Sequence, residues 1–361
     1  MISQRTIDEI NAVAKIDEVV SDFIPLKKRG SDYLCVCPFH NDTNPSMHVN
    51  TRLGLYHCFV CDAKGGPVKF VMEYEKLSYP EALIRVAKKY NIEIEEDRPL
   101  TDQEVAQRTE RESLFALNTF AEDFFISQLW ENELGKAIGL SYFQERGFTE
   151  ATIKRFRLGF DTEEDGHWDT LTQEALKQGY KLERLKTLGL TKETEKGKLY
   201  DFYHGRVIFP IHDATGKVVG FGGRLLEKKP NVGKYFNSPE SDIYHKSDIL
   251  YGFYFAKKAI RAKENVYLVE GYTDVISMSQ AGIENVVASS GTALTTGQVK
   301  LISQQTKNIT ILYDGDEAGI KAALRGVDLL LAAEMNVKVV VLPPEHDPDT
   351  FAKDFSLEYV Q

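Results

Sequence analysis

The sequence predicts a multidomain protein of mixed α+β and α/β class. A small β-rich domain comes first, a mixed α+β subdomain follows, and an α/β subdomain with a largely parallel sheet comes last. Two observations predict this order: short strands near the N-terminus carry all the cysteines, and strands alternate with helices towards the C-terminal end. At about 150 residues per domain, 361 residues correspond to two or three domains. A composition of 42% hydrophobic and 27% charged residues excludes a disordered or collagen-like chain.

The first domain is predicted over 1–95. Apolar residues recur at helical spacing over 5–23, and the segments YLCVC, SMHV and LYHCF have the pattern of short antiparallel strands. A second helical pattern covers 67–90, with Ser78 as a candidate N-cap. The charged segment 96–112 is nearly free of large apolar residues, so we predict a linker there.

The α+β subdomain is predicted over 113–245 and the α/β subdomain over 246–345. In the α+β subdomain, helical patterns precede RVIFPIHDATGKVVGFGGR, which indicates two strands around a DATG turn. The α/β subdomain is predicted to have strands at 266–270, 285–289, 309–314 and 337–342 and helices at 273–281, 296–306 and 317–334. This alternation predicts parallel βαβ units that cover both faces of the sheet. An acidic loop and the start of a helical segment are expected over 346–361.

Two short pairs of potential ligands near the N-terminus predict a metal site. Cys37 and His40 form a C-x2-H pair, and Cys58 and Cys61 form a C-x2-C pair. Each pair can present two ligands to one tetrahedral Zn²⁺ ion, so one structural zinc is expected. Cys35 lies close enough in sequence to replace His40 in an all-cysteine site, but we interpret it as a small buried hydrophobic residue.

Acidic residues follow the predicted strands of the parallel sheet. These residues are Glu270, Asp274, Asp314, Asp316, Asp347 and Asp349. Because the carboxyl ends of parallel strands share one edge of a sheet, the acids should meet there and need cations to offset their charge. Oxygen ligands favour Mg²⁺ or Mn²⁺, and such a cluster suits two-metal phosphoryl transfer. Asp274 opens a helix and could instead be only an N-cap.

The charge is uneven along an acidic chain. Lys and Arg total 44 against 54 for Asp and Glu, which gives a net charge of −10 and argues against a bulk polyanion binder. The stretch 204–234 nevertheless holds six basic and two acidic residues, and it is best suited to phosphates. No apolar run approaches the roughly 20 residues of a membrane span, and the N-terminus lacks a signal-peptide pattern. Together with clustered cysteines, this predicts a cytoplasmic protein without a membrane partner.

With these motifs in view, the chain resembles bacterial replicative DNA primases of the DnaG type. KKRGSDYLCVCPFHNDTNPSMHV with HCFVCDAKGG resembles the family's zinc-binding domain. RVIFPI, GFGGR and KYFNSPE resemble its polymerase domain, and EGYTDV, ASSGTALT and DGDEAG resemble its TOPRIM subdomain. The resemblance implies synthesis of short RNA primers on single-stranded DNA from ribonucleoside triphosphates with a divalent metal. It also implies recruitment by the replicative helicase at the bacterial replisome.

The same resemblance implies roles for individual residues. Glu270, Asp314 and Asp316 match the catalytic and metal-binding acids, and Asp347 and Asp349 match further metal ligands. Residues expected to bind template or nucleotide are Arg146, Arg206, Arg224, Lys234 and Asn237. The zinc-binding domain is expected to help hold the template through basic side chains and exposed aromatic rings.

Two departures from the family pattern accompany the resemblance. The sequence ends 12 residues after Asp349, so a helical segment and a helicase-interaction domain are expected to lie outside it. Ala214 and Thr215 stand where relatives often carry another basic residue. Two other functions stay open from the residues alone: another TOPRIM enzyme, such as a nuclease or a topoisomerase, and a non-catalytic adaptor that binds single-stranded DNA through a zinc ribbon.

Overall fold

The structure is a computed structural model that describes 2–95, 102–163, 166–226, 233–290, 293–313, 326–342 and 348–354. These residues form two compact units, which divide between Val105 and Ala106. None of the helices in the described parts of the chain combines the length and apolar character needed to cross a bilayer. The finer domain boundaries given above remain predictions.

The first unit is a five-stranded antiparallel sheet with two helices before it and two after it. Its helices are α1 (Gln4–Val13), α2 (Ile16–Ser21), α3 (Pro67–Glu75) and α4 (Tyr79–Lys89). Its strands are β1 (Lys27–Arg29), β2 (Asp32–Cys35), β3 (Met47–Asn50), β4 (Leu55–Cys58) and β5 (Lys64–Gly65), and they pair in chain order. Ser78 and Glu81 form the capping box of α4, which confirms the predicted N-cap. Tyr56 and Phe70 meet edge to face at 5.3 Å in the core of this unit.

The second unit begins with helices and an antiparallel sheet. The helices are α5 (Asp102–Glu131), α6 (Ser141–Glu145), α7 (Glu150–Arg155), α8 (Thr170–Lys177) and α9 (Leu182–Thr187), with a π-helical turn at Gly135–Leu140. The strands are β6 (Gly159–Asp161), β7 (Thr191–Glu193), β8 (Leu199–Asp201), β9 (Arg206–His212), β10 (Val218–Leu225) and β11 (Tyr235–Asn237). β11, β10, β9 and β6 form one sheet, and β7 pairs with β8. Every residue of β9 is buried, because helices and the second sheet of this unit cover it.

The segment 96–112, predicted as a charged linker, overlaps this helical region. Helix α5 begins at Asp102, whereas 96–101 lie outside the described residues. Glu, Gln and Arg are good helix formers, so a charged sequence does not prevent helix formation. Arg108 Nε donates to Glu112 Oε1 at 3.2 Å one turn away, and Arg184 Nη2 donates to Glu110 Oε2 at 2.6 Å. The second pair ties this part of α5 to α9.

The second unit ends in a four-stranded parallel sheet, as the sequence predicts. Its strands are β12 (Val266–Val269), β13 (Val286–Ala288), β14 (Asn308–Tyr313) and β15 (Asn336–Val341). Its helices are α10 (Phe253–Lys263), α11 (Tyr272–Gln280), α12 (Thr296–Ser303), α13, described over 326–332, and α14 (Pro348–Asp354); a 3₁₀ turn covers Lys246–Asp248. The strand order is β13-β12-β14-β15, and every pairing is parallel. β12 and β14 are therefore neighbours, and both end at the same edge.

One hydrophobic core connects the antiparallel sheet to the parallel sheet. Tyr272, the first residue of α11, stacks on Phe209 of β9 with 5.2 Å between ring centroids. Tyr251 meets Tyr272 nearly edge to face at 4.6 Å. Because these rings belong to one buried cluster, the residues just after β12 are held firmly against the antiparallel sheet.

Two buried carboxyl groups lie near the start of β9. Asp201 accepts hydrogen bonds from the backbone N–H groups of Leu171 at 2.8 Å and Thr172 at 2.9 Å, which are in the first turn of α8. Burial raises the pKa of Asp201 to about 6, although these hydrogen bonds oppose the shift. Asp161 pairs in register with Arg206, and its two carboxyl oxygens have no hydrogen-bond partner among the described residues. Burial raises the pKa of Asp161 well above its usual value, and the charge of Asp201 raises it further, whereas Arg206 opposes the shift. The folded protein therefore favours the protonated form of Asp161.

We expect the Asp161→Asn variant to gain stability relative to the parent protein as pH rises. The folded state favours the protonated form of Asp161. Its contribution to the free energy of unfolding is therefore full below the ordinary pKa of the unfolded chain, and it is lost as pH rises through the raised pKa of the folded protein. The amide does not ionise. Urea denaturation at pH 5 and pH 8 should show the difference in unfolding free energy growing in favour of the variant as pH rises. An equal difference at both pH values would contradict the assignment.

Candidate metal centre and cleft of the second unit

The four predicted metal ligands come together in the first unit. Ligand atoms of Cys37, His40, Cys58 and Cys61 all lie within 4.8 Å of one another. The Cys37 and Cys61 Sγ atoms are 3.7 Å apart, and Cys58 Sγ lies 3.9 Å from His40 Nδ1. A tetrahedron with Zn–S bonds of about 2.3 Å has edges of about 3.8 Å, so the cluster fits one zinc ion.

Asp42 and Ser46 support this cluster from the loop between the two ligand pairs. Asp42 Oδ2 accepts hydrogen bonds from the Cys37 N–H at 2.9 Å and from the Ser46 hydroxyl at 2.5 Å, and it lies 3.9 Å from His40 Nε2. A carboxylate behind a histidine ligand orients the ring so that its other nitrogen faces the metal. Sequence reasoning missed Asp42, although it sits in the quoted segment HNDTNPSMHV.

The environment of Cys58 favours the thiolate that zinc requires. Burial raises the pKa of Cys58, but the contact with the Ser46 hydroxyl and the backbone N–H groups of Cys61 and Val60 lower it to about 6 overall. Thiolates rather than thiols bind metals. Burial instead raises the pKa of Cys37 in the same cluster, so the geometry of the four ligand atoms, rather than the pKa of any one thiol, identifies the site.

Cys35 has a different environment. It is 3% exposed, and its Sγ donates a weak hydrogen bond to the Met47 carbonyl at 3.7 Å. Burial raises its pKa to about 11. The geometry agrees with the interpretation of Cys35 as a core residue, and His40 rather than Cys35 stands within the four-ligand group.

In the second unit, two of the predicted basic residues share one aromatic ring. The guanidinium carbons of Arg146 and Arg224 lie 5.6 and 5.3 Å from the ring centroid of Tyr142. Arg224 Nη1 also donates to the Tyr235 hydroxyl at 2.7 Å. On its other side, Arg146 Nη1 donates to Asp349 Oδ2 at 2.6 Å. The arrangement holds two cations close together at a partly exposed surface.

Asn237 connects these residues to the end of β12. The Tyr272 hydroxyl donates to Asn237 Oδ1 at 2.8 Å, and Asn237 Nδ2 donates to the Ser290 carbonyl at 3.4 Å. The Ser290 N–H in turn donates to the backbone carbonyl of Glu270 at 3.2 Å. The predicted nucleotide-binding residue Asn237 thus lies beside the strand end that carries the predicted catalytic acid Glu270.

The remaining predicted acids divide into two groups. Asp274 Oδ2 accepts a hydrogen bond from the Gly271 N–H at 2.8 Å, so Asp274 is the N3 residue of the capping box of α11, and the N-cap itself is Gly271. Asp314, Asp316 and Asp347 lie outside the described residues. In sequence, Asp314 directly follows Tyr313, which is the last residue of β14. Strand β14 is a neighbour of β12 in the sheet. The set of ligands for Mg²⁺ or Mn²⁺ therefore remains a prediction. Among the acids predicted at strand ends, Glu270 is the one that lies within the described residues.

Arg206 and Lys234, the other two basic residues predicted to bind template or nucleotide, differ in their exposure to solvent. Arg206 is 4% exposed, its guanidinium lies 4.3 Å from the ring centroid of Phe236, and Nη1 donates to the His204 carbonyl at 2.9 Å. These contacts hold Arg206 inside the fold, so its predicted role at a nucleotide remains untested. Lys234 is exposed and lies next to Tyr235 in β11.

The GFGGR motif contributes close packing as well as Arg224. A Cβ atom added at Gly222 would lie 2.5 Å from the Tyr272 ring, closer than any real contact allows. Glycine at this position lets the ring of Tyr272 lie against β10 while its hydroxyl reaches Asn237. The quoted motifs contained Tyr235 and Tyr272 but not Tyr142, and nothing in the spacing of the three tyrosines marked them as parts of a site.

Comparisons with known proteins match both units of the chain. Three family descriptions match the chain in order: CHC2 zinc finger over 2–102, DNA primase catalytic core N-terminal domain over 124–257, and Toprim-like over 267–352. The DNA primase of Aquifex aeolicus is 37% identical over 354 residues, covering 98% of this chain and 67% of that protein. The chain belongs to the DnaG family of DNA primases.

Other DnaG primases match over comparable lengths. The crystal structure of the Aquifex aeolicus primase, with zinc binding and RNA polymerase domains, superposes with a TM-score of 0.63 at 35% identity, covering 98% of this chain and 83% of that one. A DnaG primase catalytic domain bound to ssDNA gives a TM-score of 0.64 at 33% identity, over 70% of this chain and 80% of that one. The DNA primase of Halalkalibacterium halodurans is 40% identical over 99% of this chain. This chain spans 58% of that protein's length.

The match to the DnaG zinc finger identifies the metal of the first unit. The cluster of Cys37, His40, Cys58 and Cys61 lies within the matched CHC2 zinc finger and is a structural zinc site. The matched Toprim-like domain contains Glu270 and is consistent with catalytic Mg²⁺ or Mn²⁺. The zinc prediction is therefore confirmed.

We expect the zinc to depend on His40 and not on Cys35. The Cys35→Ser variant should keep one zinc per chain after dialysis against a chelator, and His40→Ala should lose it, as measured by inductively coupled plasma mass spectrometry. Asp42→Asn should bind zinc about 10- to 100-fold more weakly, because it weakens the support behind His40. Loss of zinc from Cys35→Ser alone would show that the ligand assignment is wrong.

Gly222→Ala tests the packing of Tyr272. The added methyl group cannot fit beside the ring, so we expect the unfolding free energy to fall by about 1–3 kcal/mol. Gly326→Ala is the matched control, because its Cβ would meet Leu294 at an ordinary 3.6 Å. Equal stability of the two variants in thermal denaturation would mean that the close approach of Tyr272 to β10 is not a constraint.

Proposed function

We propose that this chain is the zinc-binding and RNA polymerase part of a primase that makes short RNA primers on single-stranded DNA. The substrates are ribonucleoside triphosphates, and the reaction is nucleotidyl transfer with Mg²⁺ or Mn²⁺. One observation carries the proposal: Asn237, joined to Tyr272, lies beside the strand end that bears Glu270. Residues suited to a nucleotide and an acid suited to a metal therefore belong to one packed structure.

Arg146 and Arg224 are the residues that would hold the triphosphate. Their guanidinium groups are fixed by Tyr142, and Arg146 is further held by Asp349, so little reorganisation is needed when an anion binds. Fixed cations offset the charge of the phosphates during phosphoryl transfer. The side-chain amide of Asn237 is oriented by two hydrogen bonds: Oδ1 accepts from the Tyr272 hydroxyl, and Nδ2 donates to the Ser290 carbonyl.

Glu270 would hold the divalent metal together with Asp314 and Asp316. Carboxylate oxygens are the ligands that Mg²⁺ prefers, and Glu270 follows a central strand of the parallel sheet. A bound Mg²⁺ or Mn²⁺ ion would neutralise phosphate charge and align the attacking hydroxyl group. The capping interaction of Asp274 with Gly271 fixes the turn that follows Glu270.

The zinc unit would bind the template. Phe59, between the two cysteines of the second pair, is 69% exposed, and its ring lies 4.4 Å from His57 and 5.1 Å from His48. Exposed rings provide surfaces on which unpaired bases stack. Recruitment by a replicative helicase and a place at the replisome in the cytoplasm remain predictions of the resemblance.

We expect template-dependent synthesis of oligoribonucleotides from labelled ribonucleoside triphosphates. Glu270→Gln should lower the rate at least about 100-fold, because it removes a charge needed at the reacting groups. Asp328→Asn, an exposed acid on α13, is the matched control and should keep the parent rate. High protein concentration and both Mg²⁺ and Mn²⁺ should be used, since helicase stimulation is outside the assay.

The other outcomes of this assay distinguish the alternatives. Cleavage of the DNA template without RNA synthesis would indicate a nuclease. Template binding with neither cleavage nor synthesis would indicate an adaptor. Full activity of Glu270→Gln would exclude the acid from the reaction.

A further inference from the structure

We infer that Asp349 is a positioning residue, which holds Arg146 in place for the triphosphate, and is not a ligand of the catalytic metal. The inference rests on the proposed function for the role of Arg146. The sequence predicted Asp349 as a metal ligand because it stands among other acids. The contacts of its carboxylate support a different role.

Both carboxylate oxygens of Asp349 face protein donors. Oδ2 accepts a hydrogen bond from Arg146 Nη1 at 2.6 Å, and Oδ1 accepts one from the Ser277 hydroxyl. The residue is only 4% exposed. Mg²⁺ usually keeps several water ligands, and a carboxylate that is nearly enclosed and already engaged by two protein donors offers little space for such an ion. The carboxylate is thus already neutralised within the protein.

The pair links three parts of the second unit. Asp349 is in the first turn of α14, Ser277 is on α11, and Arg146 directly follows α6. Helix α11 begins two residues after Glu270, so Asp349 connects the acid-bearing strand end to the arginine. A shift of α14 would therefore move Arg146 relative to the predicted catalytic acid.

Asp349 also balances charge where two arginines lie together. Arg146 and Arg224 both pack on the ring of Tyr142, and two like charges that share one ring repel each other. The carboxylate offsets one of these charges from the buried side. The Arg146 side chain stays 24% exposed, so part of it can reach a phosphate from the solvent side. Removing the carboxylate should let Arg146 leave this orientation.

The test compares Asp349→Asn with Glu270→Gln in three measurements. The first counts bound Mn²⁺ by electron paramagnetic resonance, the second measures ATP binding by calorimetry, and the third measures the Mg²⁺ and nucleotide concentrations for half-maximal primer synthesis. Asp349→Asn should keep the Mn²⁺ count and the Mg²⁺ requirement, while ATP binding and the half-maximal nucleotide concentration worsen about tenfold. Glu270→Gln should instead lower the Mn²⁺ count.

A double-mutant cycle tests whether Asp349 acts through Arg146. Arg146→Gln should weaken ATP binding as Asp349→Asn does, and the double variant should be little worse than Arg146→Gln alone. Independent losses in the double variant, or a lowered Mn²⁺ count in Asp349→Asn, would overturn the inference. Unchanged ATP binding in Asp349→Asn would also overturn it.

Ser277→Ala covers the case in which Asp349→Asn does not fold. It removes only the hydrogen bond to Oδ1, and it should weaken ATP binding by a smaller factor without changing the Mn²⁺ count. A lowered Mn²⁺ count in Ser277→Ala would overturn the inference. The Mn²⁺ count and ATP binding need no primer synthesis, so failure of the proposed function would appear separately, as absent synthesis by the parent protein.

Discussion

The site of the second unit depends on the close approach of Tyr272 to β10. The ring is 4% exposed, it stacks on Phe209, and Gly222 leaves just enough space for it. Because Tyr272 comes two residues after Glu270, fixing the ring also fixes the turn at the end of β12. Its hydroxyl holds Asn237, so the antiparallel and parallel sheets contribute to one surface. A flexible joint at this place would separate the acid from the residues predicted to bind the nucleotide.

Charge is the second constraint, and it acts locally. The chain as a whole carries −10, yet Arg146 and Arg224 are held together on one ring. Their repulsion is reduced by the aromatic face and by a buried carboxylate. Near β9, burial favours the neutral form of Asp161 and raises the pKa of Asp201 to about 6. In both places a buried acid is tolerated because it is paired or neutral, so net charge alone says little about where phosphates can bind.

Local patterns predicted much of the fold, and long-range contacts account for what was missed. Ligand spacing identified the four zinc ligands, and alternation identified the four parallel strands, because both patterns arise from neighbouring residues. The helix from Asp102 was missed because charged residues suit both a linker and an exposed helix. The pairing of Arg146 with Asp349 joins residues 203 positions apart, and no sequence period marks it. Burial of Arg206 against Phe236 is likewise a product of tertiary packing.

Acids that look alike in a sequence differ once their partners are known. Of the three described acids in the predicted cluster, Asp274 caps α11 and Asp349 pairs with Arg146, whereas Glu270 stands at the end of a central strand. The contacts of Asp274 and Asp349 fix the turn after Glu270 and the side chain of Arg146. In the proposed function, the metal-binding role among these three acids therefore falls on Glu270, and the other two hold the residues around it in place.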